Sequence, residues 1–261
     1  MIDYVPIIRY DSRGIHEITD PVVRETRANL IINGTPYLSV MVLPQFLEEW
    51  AVGFMYSEGL IKVFDDIRSI KATADGDVFV ATHQPIAANK SEKRVLVSGC
   101  AHGTVNLAFL NQTGLPTLDN PQTWTYLEIT EIMERFNKQS PIFNEAGGVH
   151  SAALCSGDGQ GIFFEDIGRH NAVDKVVGAA LMKNLPLTKA ALLTSGRIST
   201  EIALKTIRAG IPTIISRSGP TSMSLAIAEK SGITLIGFAR GRRFNIYCGE
   251  NRIGKGGGGR D

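Results

Sequence analysis

The last third of the chain alternates between apolar runs and helical patterns, and this alternation constrains the fold more than any other feature. Apolar runs at residues 190–194, 213–216 and 233–238 are typical of buried strands. Helical patterns separate them at 199–209 and 222–231, and each ends at a glycine. A β-α-β-α-β order with short connections predicts a parallel sheet with helices packed against it.

The first part of the chain predicts a smaller unit rich in strands. Residues 22–40 alternate apolar and polar side chains around Asn33-Gly34, a dipeptide suited to a two-residue type I′ turn, so we expect a β-hairpin. One helix and two strand segments are then predicted, at 44–59, 70–82 and 94–97.

A stretch of turn-forming residues at 113–124, TGLPTLDNPQTW, separates these two patterns and predicts a linker. We therefore expect an N-terminal β-rich domain at 1–120 and an α/β domain at 121–253. Residues 254–261 are mostly glycine and predict a flexible tail.

The charge balance excludes a general attraction to nucleic acid or membranes, because 27 lysines and arginines stand against 26 acidic residues. No apolar run reaches the roughly 18 residues of a membrane span, and the N-terminus lacks a signal-peptide pattern. We expect a cytoplasmic protein that binds neither nucleic acid nor membrane. The three cysteines, Cys100, Cys155 and Cys248, are too few and too scattered for a disulfide framework.

Arginines follow each of the three predicted strands in the last third. They lie beside glycine or small hydroxyl residues in the segments 194–197, 216–219 and 238–243. The carboxyl ends of parallel strands meet at one edge of a sheet, and arginine binds phosphate oxygens bidentately. This pattern predicts an anionic, phosphorylated ligand, although each arginine alone could be a solvated surface charge.

Cys100 lies in a glycine-flanked turn, SGCAHGT, directly after an apolar strand pattern. With His102 two residues later, its thiol could be held partly as thiolate, the form that attacks another sulfur. A packing role is the alternative, and it suits Cys155 and Cys248 better. No metal site is expected, since the chain has no C-x-x-C pair and its five histidines are dispersed.

Charged residues crowd the segment 165–175, EDIGRHNAVDK, at a predicted helix start. Asp166 or Asn171 could cap the helix and Arg169 could pair with a neighbouring carboxylate, or the cluster could be functional.

The preceding segment 147–152, GGVHSA, resembles the H-x-E start of zinc nucleobase deaminases. Ala152 occupies the position of the glutamate, however, and the P-C-x-x-C partner is missing. A deaminase reaction would therefore lack its general acid/base and its metal ligands.

Taken together, these segments resemble the formate dehydrogenase accessory sulfurtransferase family, FdhD. The resemblance extends over nearly the whole chain and is most specific in EDIGRHNAVDK and TSGR. It implies a deaminase-like three-layer α/β domain following a smaller β-rich domain. It also implies a homodimer that carries sulfur from a cysteine desulfurase to the molybdenum bis(molybdopterin guanine dinucleotide) cofactor of formate dehydrogenase.

The resemblance assigns the persulfide to Cys100 and the binding of the guanine-containing cofactor to Phe238, Ala239, Arg240, Gly241, Arg242 and Arg243. The family usually has a C-x-x-C pair, whereas this chain has Gly103 at the second position. A persulfide needs only one cysteine, so Cys100 can still carry sulfur without the second thiol. Stabilisation of this persulfide by His102 is a hypothesis. A cofactor-binding chaperone that transfers no sulfur, or a deaminase-like hydrolase, are the alternatives.

Overall fold

The N-terminal 23 residues form a two-stranded ribbon that the sequence patterns did not predict. The computed structural model describes residues 1–86, 94–96, 115–118, 123–156 and 161–254. In it, β1 (Ile2–Asp11) and β2 (Gly14–Val23) pair in antiparallel register around a two-residue turn. Val22 and Val23 therefore pair with β1, and the hairpin predicted to begin at residue 22 begins later.

A five-stranded sheet follows, with the order β5-β6-β3-β4-β7. Its strands are β3 (Thr26–Ile32), β4 (Thr35–Val42), β5 (Ile67–Ala72), β6 (Asp77–Thr82) and β7 (Arg94–Leu96). The predicted turn is confirmed: Asn33 and Gly34 connect β3 to β4 with φ angles of 50° and 80°. Both residues adopt positive φ, as a type I′ turn requires.

Helix α1 (Leu47–Ser57) packs on this sheet and buries Trp50, Val52 and Met55 in its core. The helix begins three residues later than the pattern predicted, because Phe46 adopts a left-handed conformation that is incompatible with a helix interior.

The second large sheet has six strands in the order β10-β9-β11-β12-β13-β14. They are β9 (His150–Ser156), β10 (Gly161–Asp166), β11 (Ala190–Thr194), β12 (Thr213–Ser216), β13 (Thr234–Arg240) and β14 (Arg243–Cys248). The three central strands, β11, β12 and β13, are parallel, as their β-α-β-α-β order predicted. Antiparallel strands complete the sheet on both sides.

Helices cover both faces of the six-stranded sheet. They are α2 (Tyr126–Lys138), α3 (Pro141–Ala146), α4 (Arg169–Met182), α5 (Thr200–Arg208) and α6 (Ser222–Ser231). Side chains of α2 pack on one face with Leu193, while those of α4, α5 and α6 pack on the other with Leu192. Adjacent strand residues point to opposite faces, so the buried strand supports two cores. The mixed α/β class is confirmed, and the three layers match the expectation; the likeness to deaminases stays a prediction.

Helices α1 and α4 join the two sheets through a crossing without intervening side chains. A Cβ placed on Gly53 would lie 1.8 Å from the Asp174 carbonyl oxygen, and one on Gly178 would lie 1.9 Å from the Glu49 carbonyl oxygen. The two backbones therefore touch at positions that only glycine can occupy.

The predicted division at residue 120 stays a prediction. Of the predicted linker, residues 115–118 lie against the six-stranded sheet's helices, where the Leu118 N–H donates to the Ser231 carbonyl. Two short strands, β8 (Trp124–Thr125) and β15 (Ile253–Gly254), pair beyond it.

Candidate functional site

The carboxyl edge of the six-stranded sheet collects most of the charged segments singled out in the sequence. Because β9 is antiparallel to β11, it begins at this edge with His150, and β10 ends there with Asp166. Helix α4 starts beside them at Arg169. We call this edge, made by residues 150, 169–170, 195–201, 217–219 and 238–243, the rim.

Hydrogen bonds connect the loops of the rim to one another. Ser216 Oγ donates to the Gly196 carbonyl at 2.7 Å, and the Ile198 N–H donates to the Gly219 carbonyl. The Phe238 N–H in turn donates to the Ser218 carbonyl. The three predicted strand ends therefore converge, as expected, and they form a connected surface.

Arg169 crosses the loop that follows β11 at Gly196. A Cβ on Gly196 would lie 2.9 Å from two carbon atoms of the Arg169 side chain, so glycine provides the space in which the arginine lies. The Arg169 Nε is buried and has no hydrogen-bond partner among the described residues. Burial and the neighbouring charge of Arg197 lower the pKa of Arg169, and Glu201 partly offsets this. Arginine nonetheless remains charged at any physiological pH.

His150 and Ser195 form a polar pair at the same edge. Their Nδ1 and Oγ atoms are 3.3 Å apart, and Ser195 Oγ also accepts the Ser151 N–H at 2.9 Å. Burial, followed by repulsion from Arg169 and His170, lowers the pKa of His150. The neutral form of the His150 imidazole is therefore favoured.

His170 is the second histidine of the rim and has an acidic partner. Its Nε2 lies 2.9 Å from Glu201 Oε2 and 3.3 Å from Ser199 Oγ. Ser199 also caps α5 by accepting the Ile202 N–H, as the sequence predicted. Glu201 is thus engaged by His170 and forms no ion pair with an arginine in the described part of the chain.

The opposite side of the segment 165–175 makes structural contacts with the five-stranded sheet. Asp166 Oδ2 accepts the Leu43 N–H at 3.1 Å and pairs with Lys175 Nζ at 2.7 Å. Lys175 Nζ also donates to the Leu43 carbonyl, and Asn171 donates to the Met41 carbonyl. We call these contacts the clasp, because they fix the connection between β4 and α1.

The structure decides between the roles considered for this segment. The N-cap of α4 is Gly168 and no side chain caps the helix, so the capping role considered for Asp166 or Asn171 is wrong; Asp166 Oδ1 instead accepts the Gly168 N–H and the Asn171 side-chain amide. Glu165 instead accepts two N–H groups at the start of α3. A pairing of Arg169 with Glu165 or Asp166 is wrong, because both carboxylates are occupied by these other donors.

A second buried ion pair extends the clasp. Asp174 accepts Lys205 Nζ at 2.6 Å and Ser57 Oγ at 3.0 Å, which connects α4 to α5 and α1. Burial raises the pKa of Asp174 despite these partners. The carboxylate depends on its partners for charge compensation in the core.

The segment 238–243 is a turn of a hairpin, and it begins with a distortion of β13. Strand β13 runs two residues beyond the predicted end, and Arg240 pairs with Arg243 around the turn. Phe238 has a φ of 52° and lies against Gly219, while Ala239 is buried. The Arg240 Nε donates to the Arg217 carbonyl at 3.0 Å, which holds the Arg240 side chain against the backbone of the loop after β12.

Cys100, His102 and Gly103 lie outside the described residues. Cys155 and Cys248 are buried in the core, as the packing interpretation predicted. Burial raises the pKa of Cys248 to about 11. Its thiol is therefore protonated at neutral pH and suited to packing rather than to nucleophilic attack.

The deaminase-like motif is placed where it cannot supply an acid/base group. Ala152, at the position of the glutamate, is fully buried in β9. Within the described ranges, no group of three histidine, cysteine or acidic side chains is arranged to hold a metal ion.

Comparison with known proteins identifies the family. A model of the FdhD/NarQ family matches residues 23–254. The chain belongs to the FdhD/NarQ family. It is 40% identical over 248 residues to the sulfur carrier protein FdhD of Wolinella succinogenes, covering 93% of this chain and 86% of the relative. It is 36% identical over 259 residues to the sulfur carrier protein FdhD of Listeria monocytogenes, covering 97% and 99%.

A solved structure supports the family assignment. A crystal structure described as a formate dehydrogenase accessory protein from Desulfotalea psychrophila matches with a TM-score of 0.81 at 30% identity. The match covers 97% of this chain and 99% of that chain. Family membership makes the chain a relative of named sulfur carriers.

None of the helices in the described ranges is both long and apolar enough to cross a membrane.

Sequence reasoning identified the arginines after the strands but missed two features of the rim. It gave His150 no role there, and it left Arg169 as a candidate ion-pair partner. The TSGR segment could have revealed both features, because its glycine and serine follow β11 at the edge where α4 begins.

Proposed function

We propose that this chain carries sulfur from a cysteine desulfurase to the molybdenum bis(molybdopterin guanine dinucleotide) cofactor required by formate dehydrogenase. The reaction takes place in the cytoplasm, and the carrier works as a homodimer. Membership of the FdhD/NarQ family, with relatives named sulfur carriers along nearly the whole chain, is the observation that carries this proposal.

Cys100 is the sulfur anchor. Its thiolate attacks the terminal sulfur of the desulfurase persulfide, a new S–S bond forms, and the desulfurase thiolate leaves. Cys100 then holds the sulfur as an anionic persulfide, with no net change in oxidation state across the two proteins. Cys248 is unsuited to this task, because burial keeps its thiol protonated.

The rim is where the cofactor is bound as cargo. Arg240, Arg242 and Arg243 are exposed on the hairpin turn, and the Arg240 Nε donates to the backbone carbonyl of Arg217. Planar guanidinium groups on a surface fixed by backbone hydrogen bonds suit the phosphate oxygens of a guanine dinucleotide. The side chain of Phe238 is partly exposed beside them and offers a flat apolar surface.

The absence of a second cysteine restricts the mechanism. Gly103 replaces the second thiol of the family's usual pair, so no second thiol at that position relays the sulfur. His102 stabilises the Cys100 persulfide instead. Replacing His102 with alanine is expected to raise the pKa of the Cys100 thiol and to slow sulfur loading.

Gly103 also supports a second candidate, a chaperone that binds the cofactor without transferring sulfur. This candidate retains the rim but gives Cys100 no role. The two functions differ in whether the chain acquires sulfur.

The deciding experiment incubates the chain with a cysteine desulfurase and cysteine and measures its mass. The sulfur carrier gains 1 sulfur atom per chain (about 32 Da) at Cys100, the Cys100→Ser variant gains none, and Cys248→Ala serves as the matched thiol control. Equal loading of the wild type and Cys100→Ser contradicts the proposed anchor. Restoration of formate dehydrogenase activity by Cys100→Ala in a strain lacking the accessory protein would favour the chaperone.

A further inference from the structure

The N-terminal ribbon carries an exposed apolar surface on one of its two faces. Tyr4, Ile8 and Tyr10 alternate along β1, and the strand register places Ile15 of β2 opposite Tyr10. These four side chains therefore point to the same face. The four residues are between 62% and 76% exposed, and every residue from 8 to 15 is exposed. We call this surface, formed by Tyr4, Ile8, Tyr10 and Ile15, the apolar face.

The size of the apolar face is typical of an interaction surface. Its residues together expose roughly 600 Å², and contiguous apolar patches of this size on a folded protein mark sites of protein contact. The ribbon is also a sheet of only two strands, and neither strand has a further neighbour among the described residues. Its outer edges therefore retain backbone N–H and C=O groups that can pair with an added strand.

The charges of the ribbon are paired with one another on its opposite face. Arg9 pairs with Asp20 at 2.7 Å, and Arg24 pairs with Asp3. Within the two strands, only Glu17 adds a charge to the apolar face. A partner is therefore recognised there through apolar contact and strand pairing rather than through opposite charge.

Helix α3 contacts both the ribbon and the rim. The Tyr4 hydroxyl donates to Glu145 of α3. The Arg217 guanidinium of the rim lies over the ring of Phe143, also of α3, 5.8 Å from its centroid. The ribbon therefore starts beside the surface where the cargo is proposed to bind, and β1 spans about 20 Å from Tyr4 to Tyr10. A protein that takes the cargo from the rim comes within reach of the apolar face.

Two observations favour an acceptor of the cargo over a second copy of this chain. The family model begins at residue 23, so the apolar face lies outside it, whereas a homodimer is expected of the family as a whole. A partner of equal area brings the buried surface to about 1,200 Å², the lower limit for a stable complex. A contact of this size suits a protein that is released after each transfer better than it suits a permanent subunit.

We propose that the apolar face docks the formate dehydrogenase polypeptide that accepts the cofactor, through an uncharged apolar strand or surface of that protein. This inference rests on the proposed function for the identity of the acceptor. It adds a recognition surface that is separate from both the rim and Cys100.

Binding of purified, cofactor-free formate dehydrogenase to the full chain, measured by biolayer interferometry, tests the apolar face. The test variant is Ile8→Thr/Tyr10→Thr, which removes apolar area but keeps a residue type that favours strands. Phe79→Thr is the matched control, since Phe79 is an exposed aromatic residue on β6, outside the ribbon. We expect the double variant to weaken binding at least about tenfold and the control to stay within about twofold of wild type, as truncation of apolar anchors predicts.

Further variants keep the result specific. Tyr10→Phe retains the aromatic ring and is expected to bind like the wild type. Thermal unfolding of the double variant shows whether the rest of the fold is retained. If it is not, the single variants Ile8→Thr and Ile15→Thr replace it, and each is expected to weaken binding about threefold or more.

An affinity of the double variant within about twofold of wild type would overturn the docking surface, and so would a wild-type chain that does not bind the acceptor. Conversion of a dimer to a monomer in sedimentation would assign the apolar face to a second copy, and slower sulfur loading would assign it to the desulfurase; either result also overturns the proposal.

The Cys100→Ser variant separates this result from the proposed function, because it is expected to bind the acceptor like the wild type. A chain that binds the acceptor through the apolar face but acquires no sulfur leaves the docking surface standing. A chain that acquires sulfur while the double variant binds the acceptor normally leaves the sulfur carrier standing.

Discussion

The two sides of the segment 165–175 differ in whether their charged side chains are paired inside the protein. On the side of the clasp, the charges of Asp166 and Lys175 are fully buried and paired at 2.7 Å. On the side of the rim, Arg169 lies beside Arg197 with a buried Nε that lacks a partner among the described residues. One short segment therefore contains both a structural junction and a charged surface.

The difference between these sides separates structural from binding roles. A paired buried charge is compensated inside the protein, and removing either partner leaves the other uncompensated. An unpaired arginine at a surface edge is compensated only by something from outside, such as solvent ions or a bound anion. We therefore interpret the clasp as the connection between the two sheets and the rim as the binding surface.

We expect the largest loss of stability from a substitution at the crossing of α1 and α4, on the clasp side of the molecule. In Gly178→Ala the new Cβ would lie 1.9 Å from the Glu49 carbonyl oxygen, so the helices must separate. We expect the free energy of unfolding in urea to fall by about 3 kcal/mol or more.

The control for this substitution is Gly34→Ala, at the turn between β3 and β4. Its Cβ meets no atom within 4 Å, but its φ of +80° is unfavourable for alanine. A loss of about 1 kcal/mol is expected from backbone strain alone. Equal losses at the two glycines would show that the helix crossing has no special role.

A smaller effect is expected on the rim side, in the pH dependence of the free energy of unfolding. The pKa of His150 is lowered in the folded state, so its contribution is present above the unfolded value of about 6.5 and is lost as the pH falls through the folded pKa. His150→Asn removes this titration and keeps a polar group near Ser195. Between pH 7.5 and 5, the free energy of unfolding in urea is expected to fall less steeply for the variant than for the wild type.

The contrary result is an identical pH dependence for the two proteins. His170 is retained in both proteins, so the difference between the two curves isolates His150. Parallel curves would mean that the imidazole of His150 is not held neutral by its surroundings.

Local signals in the sequence predicted much of the fold. Asn33-Gly34 specified its turn because both residues tolerate positive φ, and Gly210 and Gly232 marked helix ends with φ angles of 70° and 68°. The apolar strands at 190–194 and 213–216 predicted a buried parallel sheet. These features depend on neighbouring residues, so periodicity and turn chemistry reveal them.

Other features depend on contacts between distant residues, and the sequence could not reveal them. Lys175 meets Leu43 across 132 positions, so nothing local distinguishes this buried lysine from a solvated one. The ribbon of β1 and β2 was missed because Pro6 and Pro21 interrupt its strand patterns. For the candidate site, arginines after strands were visible, but the partner of each charge was not.

One measurement compares the two sides directly: urea unfolding of Lys175→Met and Arg169→Gln, each with and without saturating GDP. We predict that Lys175→Met loses about 3 kcal/mol of unfolding free energy and keeps the stabilisation by GDP. Arg169→Gln is predicted to stay within about 0.5 kcal/mol of wild type without ligand and to lose most of that stabilisation. A destabilised Arg169→Gln that keeps its full response to GDP would contradict the assignment of the rim to binding.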